Sequence, residues 1–151
     1  MGKEKYIFEG KKFRSPLEID CIKLLRASEL VFLYEPYKIT LLEGFTPLVN
    51  IYLPQDKKMI LQVKKDGKEN KKIQAMTYTP DFWYEDDKRI IIIETKGYAN
   101  QVYPYKRKLF FKLLNGNEIS EGKQVYFFEP SKVIEIEETI KIIKQILDET
   151  N

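Results

Sequence analysis

The stretch TPDFWYEDDKRIIIIETKGY, from Thr79 to Tyr98, sets two strand-like runs on either side of a polar turn. Phe82-Trp83-Tyr84 is aromatic and Ile90 to Ile93 is β-branched throughout, the compositions that suit a pleated, half-buried backbone. Four consecutive isoleucines leave no polar face, so that run is expected to be a central strand covered on both sides. With Asp87 and Lys88 as the central residues of a hairpin turn, the register sets Phe82 opposite Ile93 and Asp81 opposite Glu94. Opposed residues have Cβ atoms about 4.5–5.5 Å apart, close enough for two carboxylates to share one cation. Alternation along the strand sends Glu94 and Lys96 to one face and Thr95 to the other. Two carboxylates and one ammonium are therefore expected on a single patch.

Adjacent carboxylates repel, and a sheet normally excludes such a pair unless a cation offsets it. Magnesium accepts one or two protein carboxylates, keeps several waters and completes its shell with phosphate oxygens, which suits a phosphodiester substrate. In that reading Asp81 and Glu94 are ligands, and Lys96 positions a water or offsets charge developing in the transition state. The alternative is a turn aspartate beside a solvated Glu94–Lys96 pair at a strand end, an ordinary arrangement in a chain that is 32% charged. The apolar setting of the strand favours the first reading, because acids at the end of a buried strand carry a desolvation cost that surface pairs do not.

A chain of 151 residues makes about one domain with a proper core, and 43% hydrophobic content marks it as globular. The 26 basic and 23 acidic residues nearly cancel, so any nucleic-acid contact must come from where the lysines lie rather than from total charge. One cysteine, Cys21, and no histidine exclude an internal disulfide, Cys/His zinc sites and histidine general bases. Carboxylates and lysines remain as the catalytic groups. The segment MGKEKYIFEG lacks an apolar signal core, and no apolar run reaches the ~18 residues of a membrane span, so a cytoplasmic location is expected.

Ser15-Pro16-Leu17-Glu18 opens a helix with an N-cap serine, proline at the first position and glutamate at N3, continuing to about Glu29 with Leu17, Cys21, Leu24 and Leu25 buried. Glu18 can close the capping box. It also borders the apolar face, so it can point at a strand end and join the metal site. Tyr37 to Leu42 reads as a strand. Residues 56–72 read as an inserted basic hairpin turning at Asp66-Gly67, with Lys64, Lys65, Lys71 and Lys72 either solvated or gripping a DNA backbone. A helix from near Pro104 to Asn115-Gly116 is expected to bury Leu109, Phe110, Leu113 and Leu114 and to present Lys106, Arg107 and Lys108 as further DNA contacts. Tyr98, Tyr103 and Tyr105 read as packing residues or base-stacking platforms. Gln124 to Phe128 is a strand and Ile136 to Leu147 an amphipathic closing helix.

Pro80-Asp81 with Glu94-x-Lys96, after a helix bearing Glu18, resembles the PD-(D/E)xK nuclease superfamily. More specifically, Phe13-Arg14-Ser15, Tyr78-Thr79-Pro80-Asp81-Phe82, Glu94-Thr95-Lys96-Gly97 and Tyr105 to Phe110 resemble a small phage-encoded endonuclease family similar to Holliday-junction resolvases. The likeness covers nearly the whole chain except a longer Gly44–Lys72 section. It implies a mixed α+β fold of α/β type, a restriction-endonuclease-like core with a four- to five-stranded mixed sheet flanked by helices, in a single domain over 1–151. It also implies magnesium-dependent DNA hydrolysis, with manganese able to substitute. Glu18, Asp81, Glu94 and Lys96 would be the catalytic residues, and Glu18, Asp81, Glu94 and the Thr95 backbone carbonyl the metal ligands. The partner would be branched or junction DNA cut by a homodimer, in a bacterial host cytoplasm if phage-encoded. A site-specific or transposition-type nuclease, and an inactive DNA-binding module, are the alternatives.

Overall fold

The computed structural model describes residues 6–64, 70–97 and 100–149. They form two compact units, one built from the chain up to Lys38 and from Thr79 onward, the other from Ile39–Tyr78. The inserted unit is thus wider than the 56–72 hairpin read from the lysines. Length and charge marked only its most basic part, while its flanking strands are short and irregular.

The first unit opens with a tight hairpin, β1 (Ile7–Phe8) and β2 (Lys11–Lys12), whose turn places Glu9 at φ 50° and Gly10 at φ 75°. Helix α1 (Pro16–Ala27) follows, then strands β3 (Leu33–Tyr34), β8 (Phe82–Glu85), β9 (Arg89–Ile93) and β10 (Gln124–Phe128), with helices α2 (Tyr103–Leu114), α3 (Asn117–Ser120) and α4 (Val133–Asp148). The sheet runs β10-β9-β8-β3 and is mixed: β10 lies parallel to β9, and the other pairs are antiparallel. This is the α/β, mixed α+β architecture expected, with four strands in this sheet among the described residues.

Strand β9 is central and all five of its residues are buried. Ile91 and Ile93 join Phe82, Cys21, Ile22 and Leu25 in one apolar cluster with Ile136, Ile140 and Ile143 of α4. By alternation Ile90 and Ile92 face the opposite side, where Phe127 meets Phe110 and Phe111 of α2 with ring centroids 6.2 and 5.0 Å apart. Helices therefore cover both faces, and each fully buried isoleucine contributes about 1.5–3 kcal/mol. In α1 the buried stripe is Glu18, Cys21, Ile22 and Leu25, with Leu17 and Leu24 only partly covered, and in α2 Leu109 is exposed while Phe110 is buried. Helix α4 packs on the core along its length, with Ile146 and Leu147 against the same cluster.

Helix α1 ends in a left-handed cap without glycine. Glu29 sits at φ 59°, its N–H donates to the Arg26 carbonyl, and the Leu30 N–H reaches the Leu25 carbonyl at 2.9 Å.

In the second unit β4 (Ile39–Leu42) pairs with β7 (Met76–Tyr78), and β5 (Tyr52–Gln55) pairs with β6 (Lys58–Leu61). The hairpin turn is at Asp56-Lys57, both with positive φ of 50° and 68°, the pattern that matches strand twist in a two-residue turn. Neither residue is glycine, which is why composition did not mark this turn. Asp66-Gly67, expected to turn the hairpin, lies outside the described residues, as do Lys65 and Tyr98.

Candidate metal centre

The hairpin register is as read from residues 79–98. Phe82 pairs with Ile93 and Trp83 with Ile92, and the turn closes through Asp86 N–H to the Arg89 carbonyl. Asp86 also accepts from the Lys88 and Arg89 N–H groups, which fixes Asp87 and Lys88 as the turn centre. One step beyond the paired residues stand Asp81 and Glu94, at the end of β8 and β9 that adjoins α1.

Asp81 is 6% exposed and its Oδ2 takes two hydrogen bonds from one residue, the Thr95 N–H at 2.9 Å and the Thr95 hydroxyl at 2.8 Å. Its carboxylate gathers with those of Glu18 and Glu35, one oxygen from each lying within 4.8 Å of the others. Among the described residues this is the acidic group with metal-ligand spacing, and Glu94 is not part of it. Glu35 was missed in the sequence because it follows a two-residue strand and precedes Pro36, a context that reads as a turn. Its backbone stands at φ 46°, in the left-handed region, with its N–H on the Asp81 carbonyl at 2.8 Å. A non-glycine residue held there costs about 1–2 kcal/mol.

Glu18, 3% exposed, is both cap and site residue. The Ser15 hydroxyl accepts from the Glu18 N–H at 3.3 Å and donates to Glu18 Oε2 at 3.1 Å. Glu18 Oε1 accepts from the Tyr34 hydroxyl at 2.9 Å. The carboxylate thus turns from the helix end toward β3 and Asp81 rather than closing a reciprocal capping box with the Ser15 N–H. Tyr34, whose ring is packed between Phe13 and Phe82, orients it.

Burial raises the Asp81 pKa to about 7, with the Glu18 charge adding to the rise, the two Thr95 hydrogen bonds opposing it and Glu35 adding a smaller increment. The Cys21 thiol is pushed far up by burial and by the Asp81, Glu18 and Asp20 charges, so it is an inert core group. Burial and Glu18 likewise keep the Tyr34 phenol protonated as a donor.

Glu94 is half-buried, and its N–H donates to the Phe128 carbonyl at 2.8 Å, while the Lys96 N–H donates to the Pro130 carbonyl at 2.9 Å. Residues 94–96 therefore continue alongside the chain leaving β10. Lys96 Nζ stands 3.9 Å from Glu129 Oε1, and Arg107 Nη1 is 2.5 Å from Glu129 Oε2 with its guanidinium over the Tyr103 ring. Arg107, read as a DNA contact, is thus engaged within the chain. Lys108 is exposed and Lys106 half-buried on α2; Lys64, Lys71 and Lys72 are exposed in the inserted unit. Thr95 contributes its N–H and hydroxyl to Asp81, a role not read from the sequence, where its carbonyl was the group of interest.

Residues 34–121, more than half of the chain, match the model of a family described as Protein of unknown function (DUF1064). The chain belongs to the DUF1064 family. The span shared with DUF1064 holds Glu35, Asp81, Glu94, Thr95 and Lys96 and leaves Glu18 outside. No curated protein and no solved structure matches the chain.

Proposed function

We propose that this protein is a divalent-metal-dependent endonuclease that hydrolyses DNA phosphodiester bonds, built on a restriction-endonuclease-like PD-(D/E)xK plan. The observation that carries the reading is the gathering of Asp81 and Glu18, both almost fully buried, with Glu35 at the strand end where Thr95 of Glu94-Thr95-Lys96 is bonded to Asp81. Two buried carboxylates with a third, half-buried one beside them repel one another when ionised, and a cation among them offsets that repulsion. The donors are all oxygen, the set that suits Mg²⁺ or Mn²⁺. Glu18 and Asp81 would hold the ion, with Glu35 completing the group and Glu94 approaching from the neighbouring strand. A bound ion supplies positive charge to the phosphoryl group and lowers the pKa of water.

The chain's own residues supply preorganisation. Thr95 locks one Asp81 oxygen, and Ser15 and Tyr34 lock Glu18, so these carboxylates lose little freedom when a ligand arrives. Lys96 reaches past the strand end on a 41% exposed side chain and can offset charge on the reacting phosphate, while Glu129 holds it near. Branched DNA is the preferred substrate in this reading, and a homodimer would give the paired cuts that a four-way junction requires.

The deciding experiment incubates four-way junction, Y-fork, duplex and single-stranded DNA with Mg²⁺, Mn²⁺ or EDTA, beside supercoiled plasmid. Cleavage that needs the metal and favours the junction supports the proposal. Binding without cleavage under every metal condition would leave a DNA-binding module.

A further inference from the structure

Arg14 stands immediately before the N-cap of α1 with a side chain that is 73% exposed. Its Nε lies 2.9 Å from Oε1 of Glu35, a pairing of charges that is not aligned as a hydrogen bond, since that oxygen has no hydrogen-bond partner. The same Glu35 carboxylate belongs to the acidic triad with Glu18 and Asp81. It therefore faces a guanidinium and a candidate cation position at once.

The chain before Arg14 is extended. The Phe13 N–H bonds the Tyr6 carbonyl at 2.7 Å, carrying on from the β1–β2 pairing, and the Phe13 side chain is buried. Lys12 closes β2 on one side of it and Arg14 follows on the other, and both are exposed. Two exposed cations thus stand two residues apart in the unit that holds the triad, whereas the lysines of the inserted unit belong to a separate compact body.

We propose that Arg14 is the phosphate contact of this centre and that Glu35 holds it in reserve. A divalent cation that takes the Glu35 carboxylate frees the guanidinium for the DNA backbone, and Lys12 extends that contact. The inference rests on the endonuclease reading and goes beyond it, making grip on the substrate depend on the cation. The exchange is physically easy. An ion pair with so exposed an arginine is weak, and the planar guanidinium matches phosphate in a bidentate fashion.

The test uses Arg14→Gln, Arg14→Lys and Lys12→Gln in the full chain, at exposed positions that leave the core untouched. Mn²⁺ titration calorimetry without DNA reads the metal, and fluorescence anisotropy on a four-way junction across a NaCl series reads DNA, once in EDTA and once in Ca²⁺. Arg14→Gln should bind Mn²⁺ about two- to fivefold more tightly, because no partner has to leave Glu35. In Ca²⁺ it should lower the log–log salt slope by roughly 0.9 unit, and in EDTA it should leave the slope unchanged. Arg14→Lys should keep most of the Ca²⁺ slope, and Lys12→Gln should lower it. Equal slope changes in EDTA and Ca²⁺ would make Arg14 a standing contact and overturn the inference. Mn²⁺ uptake with no slope change overturns it too, leaving the metal reading in place, whereas wild-type protein that takes up no Mn²⁺ removes both.

Discussion

Asp81 and Thr95 are joined by two hydrogen bonds to a single carboxylate oxygen, one from the Thr95 backbone and one from its hydroxyl. The pair ties the residue before β8 to the second residue past β9 and leaves the other Asp81 oxygen out of the Thr95 contact. It also lowers the Asp81 pKa against burial and Glu18, which together hold it at about 7.

The raised pKa sets a pH dependence. The folded value lies above the unfolded value near 3.9, so the folded state keeps the proton between the two. The stability this group contributes is fully present below about pH 4 and is lost as pH rises through about 7. Asp81→Asn should therefore be more stable than wild type at pH 8 in EDTA, by on the order of 4 kcal/mol at most, and melt at a higher temperature. The gap should close toward pH 5, as followed by thermal melts. A constant gap across that range would separate the effect from Asp81 ionisation.

Divalent metal should act in the opposite sense. Mn²⁺ must compete with the Asp81 proton, so its affinity should rise from pH 6 to pH 8, and binding should release a proton detectable by calorimetry in buffers of different ionisation enthalpy. At a hundredfold excess over its Kd the ion should stabilise the fold by about 2.7 kcal/mol, and EDTA should reverse this.

Glu35→Gln and Glu94→Gln separate the triad from the hairpin motif. Removing the Glu35 charge should weaken Mn²⁺ affinity by about 10- to 100-fold. Glu94→Gln should abolish cleavage, a loss on the order of 100-fold or more, with the fold intact. Wild-type turnover from Glu94→Gln would sink the motif assignment and leave Glu18, Glu35 and Asp81 as the whole centre.

Lys96→Ala should retain metal and DNA affinity and lose rate, because a group acting on developing charge changes transition-state rather than ground-state binding. Single-turnover cleavage and anisotropy on the same junction distinguish this from a phosphate anchor, for which both readouts fall together.

Neutralising Lys64, Lys65, Lys71 and Lys72 together tests whether the inserted unit grips DNA. If it does, the salt slope should flatten by roughly 0.9 unit for each phosphate that no longer meets a lysine, equally on all sequences. An unchanged slope would mark these lysines as a solvated surface.

The turn of the β8–β9 hairpin, its register and the buried isoleucine strand were legible because Ile90 to Ile93 allow only one kind of environment and a two-residue turn fixes pairing by arithmetic. Ser15 and Pro16 marked the start of α1 for similarly local reasons. Glu35 was not legible. Its place in the site depends on a two-residue edge strand, a left-handed backbone and a bond to the Asp81 carbonyl, none of which leaves a periodic signal. The partners of Lys96 and Arg107 were hidden for a different reason, since Glu129, just past β10, meets Lys96 through the parallel pairing of β9 with β10 and Arg107 from helix α2, long-range relations that spacing along the chain does not encode.

The inserted unit begins and ends side by side, with Ile39 paired to Tyr78, and within the other unit the Glu35 N–H bonds the Asp81 carbonyl. Chain leaving the core after Lys38 and returning at Thr79 can thus be lengthened, shortened or exchanged as a cassette, since both of its ends are already clasped. Loop entropy grows slowly with length, so such exchanges are thermodynamically mild. Exchange of that cassette alters neither Glu35 nor Asp81, which belong to the other unit.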